Sequence, residues 1–299
     1  MPTTTAKDFL LAHLGKIEQM PSIPVVVAPL LRYLEQPLEQ LDIQKVVDLL
    51  SQDKSLTAQA LHMANSPLFG RWQQIDSLKG AVVALGFQRL REIVVSCSFL
   101  KLLPLGEGQL DPIVFWEHSL GCALVCRHFA RKVDFPQPEK AYLGGLLHDL
   151  GIVVNFWILP KEFAETFELA RSEQIPLHEA EARVLHLTHC DSGRILAERW
   201  GLTSDIVQVV AHHHDPVAAQ ENKALIALVS LSDLLCRMDQ MGHGYTEMRQ
   251  VNFVEEPAFA VLLEACPSLR NFDWARFTFE LEGYLDEVRR LVRQLYGKA

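Results

Sequence analysis

No Cys-x-x-Cys pair occurs in the 299 residues, and the six cysteines, at 97, 122, 126, 190, 236 and 266, are scattered. With no secretory signature beside them, reduced thiols are expected in place of a disulfide framework. The opening Met-Pro-Thr-Thr-Thr lacks the basic and apolar regions of a signal peptide, so a cytoplasmic product is expected. Basic residues are in short supply: 28 Lys and Arg stand against 37 Asp and Glu, giving a net charge of −9 and a pI near 5.7. That balance argues against a general nucleic-acid surface, and Arg89, Arg91 and Lys101 read as the solvated side of a helix. No long polar low-complexity linker and no internal repeat is evident, so closely packed lobes are expected. The zincin pattern His-Glu-x-x-His is also missing, because Ala182 stands where His178-Glu179 would need its second histidine. The one stretch long enough to be mistaken for a membrane span, 143–159, contains His148, Asp149, Asn155 and three glycines and is closed by Pro160. A buried helix is expected there, and no membrane contact.

About half of the residues are apolar, enough for a large core in one large or two small domains. The apolar periodicity predicts an all-α protein of two closely packed helical lobes. Helices are expected over 25–35, from an Asp42 cap to 50, from Ser55 to 64, from Ser77 to 85, and over 90–103, with Gly86 marking an end or a bend. The Pro- and Gly-containing segment 104–112 is the best lobe boundary. Beyond it, helices over 113–132, 139–148, 161–172, 177–185, 192–200, 204–213 and 224–238 form a bundle. The organisation expected is an N-terminal lobe, 1–106, a bundle, 107–245, and a C-terminal helical extension, 246–299. In that extension Phe277, Leu281, Leu285, Val288 and Val292 fall at helical spacing and predict packing back on the protein, with a homodimer or partner contact as the alternative.

Against this background an ordered series of imidazoles and carboxylates stands out: His118, His148-Asp149, His189, His213-His214 and Asp233. Any one of these histidines alone reads as a hydrogen-bonded core residue. Asp149 changes that balance, since a carboxylate inside an apolar stretch is costly to bury without a cation or hydrogen-bond donors. Imidazole and carboxylate donors suit iron, manganese or zinc, and carboxylate-rich positions also tolerate magnesium. Seven candidate ligands exceed the four of a closed zinc site, so a divalent metal is expected, iron or manganese ahead of zinc or magnesium, and two ions bridged by the Asp149 carboxylate are the sharper form of that expectation. Cys122 and Cys126 follow His118 at successive spacings of four; small buried residues beside a ligand are preferred there over a thiolate zinc site.

The same ordered residues resemble the HD superfamily of metal-dependent phosphohydrolases, and the chain from about residue 20 to 240 resembles its HDOD branch, the HD-related output domain of bacterial signal transduction. That resemblance rests also on Ile23-Pro24, Asp53-Lys54-Ser55-Leu56, Ala64-Asn65-Ser66-Pro67-Leu68-Phe69-Gly70, Ile75-Asp76-Ser77-Leu78, Leu85-Gly86, Glu181, Gly193, Leu196 and Trp200-Gly201-Leu202. It implies His118, His148, Asp149 and Asp233 as one ligand set, and His189, His213 and His214 as the extra histidines of HD-GYP phosphodiesterases. His212 precedes that last pair, so which two of the three face inward is left open. Two departures count against cyclic-di-GMP hydrolysis. Ile152 stands where HD-GYP enzymes carry Lys after His-Asp-x-Gly, and Asp215-Pro216 replaces Asp-Gly-x-Gly-Tyr-Pro. Gly242-His243-Gly244-Tyr245 looks like that segment but lies too late and reads as a loop.

The function expected is a signalling or regulatory module with a divalent metal site, its protein partners unspecified. The alternatives are an active phosphohydrolase on a nucleotide, cyclic nucleotide or other phosphate-containing ligand, with Asp149, His189 and His213 as catalytic candidates, and a metal-free interaction scaffold.

Overall fold

Asp42 opens the first described helix as the sequence predicts: its carboxylate accepts from the Gln44 amide at 2.8 Å. The computed structural model describes residues 40–69, 74–100, 102–103, 109–248 and 251–297; the helix expected over 25–35 lies outside them. Among the described residues the regular elements are helical and there is no strand. The chain divides into two compact units, changing from one to the other between Pro104 and Leu105 and back between Glu282 and Gly283.

The first unit carries described residues 40–103 and 283–297. Helix α1 is Ile43–Ser51 and α2 is Lys54–Ala64. The cap of α2 is Asp53, which accepts from Leu56 N at 2.9 Å, so the helix starts just ahead of the expected Ser55. Asn65 at its end holds the next segment. Its amide donates to Ile75 O at 2.7 Å and accepts from Ile75 N at 2.9 Å, satisfying both backbone groups of one residue. Ser77 then caps α3, Leu78–Phe99, which breaks at Gly86 with φ +79 and ψ 167, a conformation closed to residues with a side chain. In the later segment, Leu285, Val288, Leu291 and Val292 are buried, and Tyr296 OH donates to Leu100 O at 3.0 Å.

The second unit carries described residues 109–282. Its helices are α4 Pro112–Lys132, α5 Pro138–Leu147, α6 Leu150–Ile158, α7 Pro160–Glu173, α8 Leu177–Val184, α9 His189–Arg199, α10 Ser204–His212, α11 Lys223–Met238, α12 Pro257–Ala265 and the start of α13, Trp274–Leu295. Four of them open on proline, whose missing N–H costs nothing in a first turn. The stretch 138–158 is apolar and long enough to cross a membrane by composition, but 89% of its most apolar window is buried in the protein. It is also not one rod, since α5 and α6 are separated by the turn at His148-Asp149. Helix α9 begins earlier than the predicted Ser192, because Asp191 Oδ2 accepts from the Thr188 amide at 2.9 Å and closes a capping box around Thr188.

Candidate metal centre

The break between α5 and α6 is what aims the His-Asp pair. His148 keeps helical angles at the end of α5, whereas Asp149, at φ −91 and ψ 15, precedes α6. Two residues on, Gly151 lets α6 lie directly against the start of α9. A Cβ there would sit 1.8 Å from His189 O, so only glycine fits. That contact carries Asp149 to His189. His118 and Asp233 come from the middles of α4 and α11, and His213 ends α10. His118, His148, Asp149, His189, His213 and Asp233 are buried, and His214 is partly so.

Asp149 sits between two groups. Its Oδ2 lies 3.3 Å from His118 Nε2 and 3.2 Å from His148 Nε2, while its Oδ1 lies 3.3 Å from His189 Nε2 and 3.6 Å from His213 Nε2. On the Oδ2 side, His118 Nε2 is 3.3 Å from His148 Nε2 and 3.3 Å from Asp233 Oδ1. On the Oδ1 side, His189 Nε2 is 3.2 Å from His213 Nε2 and 3.0 Å from His214 Nε2. His213 and His214 are thus the two of the three consecutive histidines whose rings reach His189.

The outer nitrogens explain why these rings face one another. His118 Nδ1 donates to Met241 O at 2.6 Å, His148 Nδ1 to Gly145 O at 2.8 Å, and His213 Nδ1 to Val210 O at 3.1 Å. His189 Nδ1 lies 2.6 Å from Glu181 Oε2, which also accepts from the His189 amide at 2.8 Å. A carbonyl can only accept, so these Nδ1 atoms carry the protons and the Nε2 lone pairs point inward. Lone pairs facing each other across about 3 Å in a buried site need a positive particle between them.

Charge follows the same logic. Burial would raise the Asp149 carboxyl, but the imidazoles of His148, His118 and His213 hold it well below the usual carboxylate range. Burial works against the His118 imidazolium, yet Asp149 and Asp233 raise it well above its ordinary value. His189 is likewise opposed by burial but pushed up to about 9 by Glu181. Burial brings its neighbour His213 down to about 4 and holds His214 low as well.

The donor set fits divalent cations. Two donors bound to one ion at about 2.1 Å lie about 3.0 Å apart at a right angle and about 3.4 Å apart at the tetrahedral angle, close to the separations seen here. Asp233 Oδ1 is buried without a hydrogen-bond partner, 3.3 Å from His118 Nε2 but outside bonding geometry, as a ligand oxygen would be. Cys122 Sγ lies 3.7 Å from His118 Nε2, but burial and Cys236 push its thiol far up, so nitrogen and oxygen dominate the donor set.

Four residues join this arrangement without having been singled out as ligands from the sequence. Glu181, noted only as part of the family pattern, orients His189 and is itself held by Asn155 Nδ2 at 2.9 Å. His178 stacks on His214 with ring centroids 4.0 Å apart. Arg237 pairs with Asp233 at 3.3 Å and with Glu247; its position four residues after Asp233 on a helix was the available signal. His243, read as part of a loop, is in a loop, but its Nε2 is 2.8 Å from Asp149 Oδ2. Beside the cluster lies a polar cleft of about 300 Å³ whose lining includes His178, His214, Asp233 and Arg237.

This all-helical fold is shared with HDOD proteins and, as a fold, with chains provisionally named phosphohydrolases. The model of the HDOD domain family matches residues 20–216, and the chain belongs to that family. An HDOD domain protein of unknown function from Geobacter sulfurreducens superposes with a TM-score of 0.82 at 32% identity, over 97% of this chain and 96% of that one. A Shewanella amazonensis protein provisionally named a phosphohydrolase superposes with a TM-score of 0.72 over 95% and 98% of the two chains; its 22% identity limits the likeness to fold. An uncharacterised Treponema pallidum protein is 26% identical over 224 residues, which is 74% of this chain and 43% of the relative. The chain therefore spans less than half the length of that curated relative.

Proposed function

We propose that this protein is a bacterial regulatory module of the HDOD family, acting in the cytoplasm, whose Asp149-bridged cluster holds two divalent ions. The observation that carries the reading is the two-sided environment of Asp149: one oxygen faces His118 and His148, the other His189 and His213. On one side His118, His148, Asp149 and Asp233 would bind an ion; on the other, Asp149, His189, His213 and His214. Iron or manganese suits this mix of imidazole and carboxylate. Regulation is favoured over turnover by the surroundings. Ile152 offers no charge to a phosphate, and the Arg237 guanidinium is engaged by Asp233 and Glu247.

A second reading, hydrolysis of a phosphate ester, is favoured by the polar cleft. Divalent ions held by these residues would supply charge for phosphoryl oxygens and lower the pKa of a bound water. In that reading His214 and Asp233, which line the cleft, carry the cluster to it.

Elemental analysis of untagged protein beside the His148→Ala/Asp149→Ala variant tests the proposal. About two equivalents of iron or manganese are expected in the parent and none in the variant. Folded protein that carries no metal and takes up none on titration would reject it in favour of a scaffold. Phosphatase and phosphodiesterase assays on the loaded protein then separate the two metal-dependent readings.

A further inference from the structure

The loop after α11 delivers an additional histidine to the cluster. It leaves the helix with Gln240 at φ +59 and is tied down on both sides. Met241 O accepts a hydrogen bond from His118 Nδ1 at 2.6 Å; further on, Tyr245 OH donates to Ile175 O at 3.0 Å and Met248 N to Gln174 O at 2.8 Å. Between these ties Gly244 takes φ +92, and His243 turns inward to 6% exposure. Its ring centroid is 4.7 Å from that of His118, and its Nε2 is 2.8 Å from Asp149 Oδ2. His118, Asp149 and His243 present donor atoms that all lie within 4.8 Å of one another. The outer nitrogen of His243 is buried and has no hydrogen-bond partner, so its polar tie is to the cluster alone.

We infer that His243 is a further protein ligand of the ion held by His118, His148, Asp149 and Asp233, and that it closes the position a water or phosphate oxygen would take there. This rests on the metal-binding reading above. The 2.8 Å separation from Asp149 Oδ2 is close to the edge of about 3.0 Å between two donors at a right angle on one ion. With His243 seated, five protein side chains would hold the ion on the His118 side, and exchange with outside ligands is expected mainly on the side of His189, His213 and His214. His214 lines the cleft.

The test loads full-length protein with Co(II) and records the visible spectrum and the dissociation constants for the parent, His243→Ala, His243→Gln and His148→Ala/Asp149→Ala. In His243→Ala both ions are expected to bind, with the d–d spectrum of one of them altered, its dissociation constant raised at least about tenfold, and the parent spectrum restored by free imidazole. His243→Gln keeps a donor for Asp149, is less disruptive to folding, and is expected to keep the altered spectrum. An unchanged spectrum and affinity in His243→Ala, or a parent-like spectrum in His243→Gln, overturns the inference and leaves His243 as a hydrogen-bond partner of Asp149. Parent protein that binds no Co(II) rejects the metal-binding reading and this inference with it. Binding that is lost in the His148→Ala/Asp149→Ala variant but indifferent to His243 rejects this inference alone.

Discussion

Glu181 acts on the cluster from behind. Its Oε2 receives both the side chain and the amide of His189, and its Oε1 receives Asn155, so a fully buried carboxylate is satisfied by three donors. Partners of this kind fix the ring orientation of a metal-binding histidine and raise its basicity. Glu181→Gln keeps the volume and loses the charge. It is expected to weaken the ion on the His189 side roughly 10- to 100-fold while leaving the His118 side unchanged, as read by competition with a chelator. Equal affinity at both positions would contradict the role given to Glu181. The sequence made Asp149 legible, because a carboxylate amid Leu146, Leu147, Leu150 and Ile152 needs a reason to be there. It made Glu181 legible only as a family position and His243 not at all, since neither glutamates in helices nor histidines beside glycine are unusual.

At the scale of elements, the centre depends on how closely α6 approaches α9. A methyl at position 151 would meet the backbone of His189, which cannot yield as a flexible side chain can. Gly151→Ala is therefore expected to cost about 1–3 kcal/mol or more and to lower metal content, seen as a reduced midpoint of denaturant unfolding and by elemental analysis. Gly283 in α13 is the contrast. Open space surrounds the place its methyl would take, so Gly283→Ala is expected to stabilise by about 0.4–1 kcal/mol. An equal response to both substitutions would sink the packing argument. Helix existence followed from apolar periodicity and caps, as at Asp42 and Ser77. Helix starts were less legible: Asp53 and Thr188 offer caps ahead of Ser55 and Ser192, and a chain takes the first adequate acceptor that packing permits.

For the whole molecule, the proposed metal binding would be linked to protonation. Burial opposes the His189 imidazolium, but Glu181 together with Asp149 and Asp233 pushes it up to about 9, above its ordinary 6.5. The imidazolium therefore contributes stability that is full below pH 6.5 and is lost as pH rises through about 9. A cation must displace that proton, and the one on the raised His118. Metal affinity is expected to rise with pH up to about 9, with protons released on binding. Calorimetric titrations in buffers of different ionisation enthalpy check this; pH-independent affinity without proton release would refute it. The sequence by itself determined the helical class, the acidic surface and the chemical type of the centre, because periodicity, composition and donor identity are local properties of the chain. Only the tertiary structure decided which donors face which oxygen of Asp149, that Glu181 and Asn155 stand behind His189, and that His243 reaches the cluster from a loop 94 residues away from Asp149. Such pairings arise from the packing of distant segments, where a close approach such as Gly151 on His189 sets positions that no local pattern encodes.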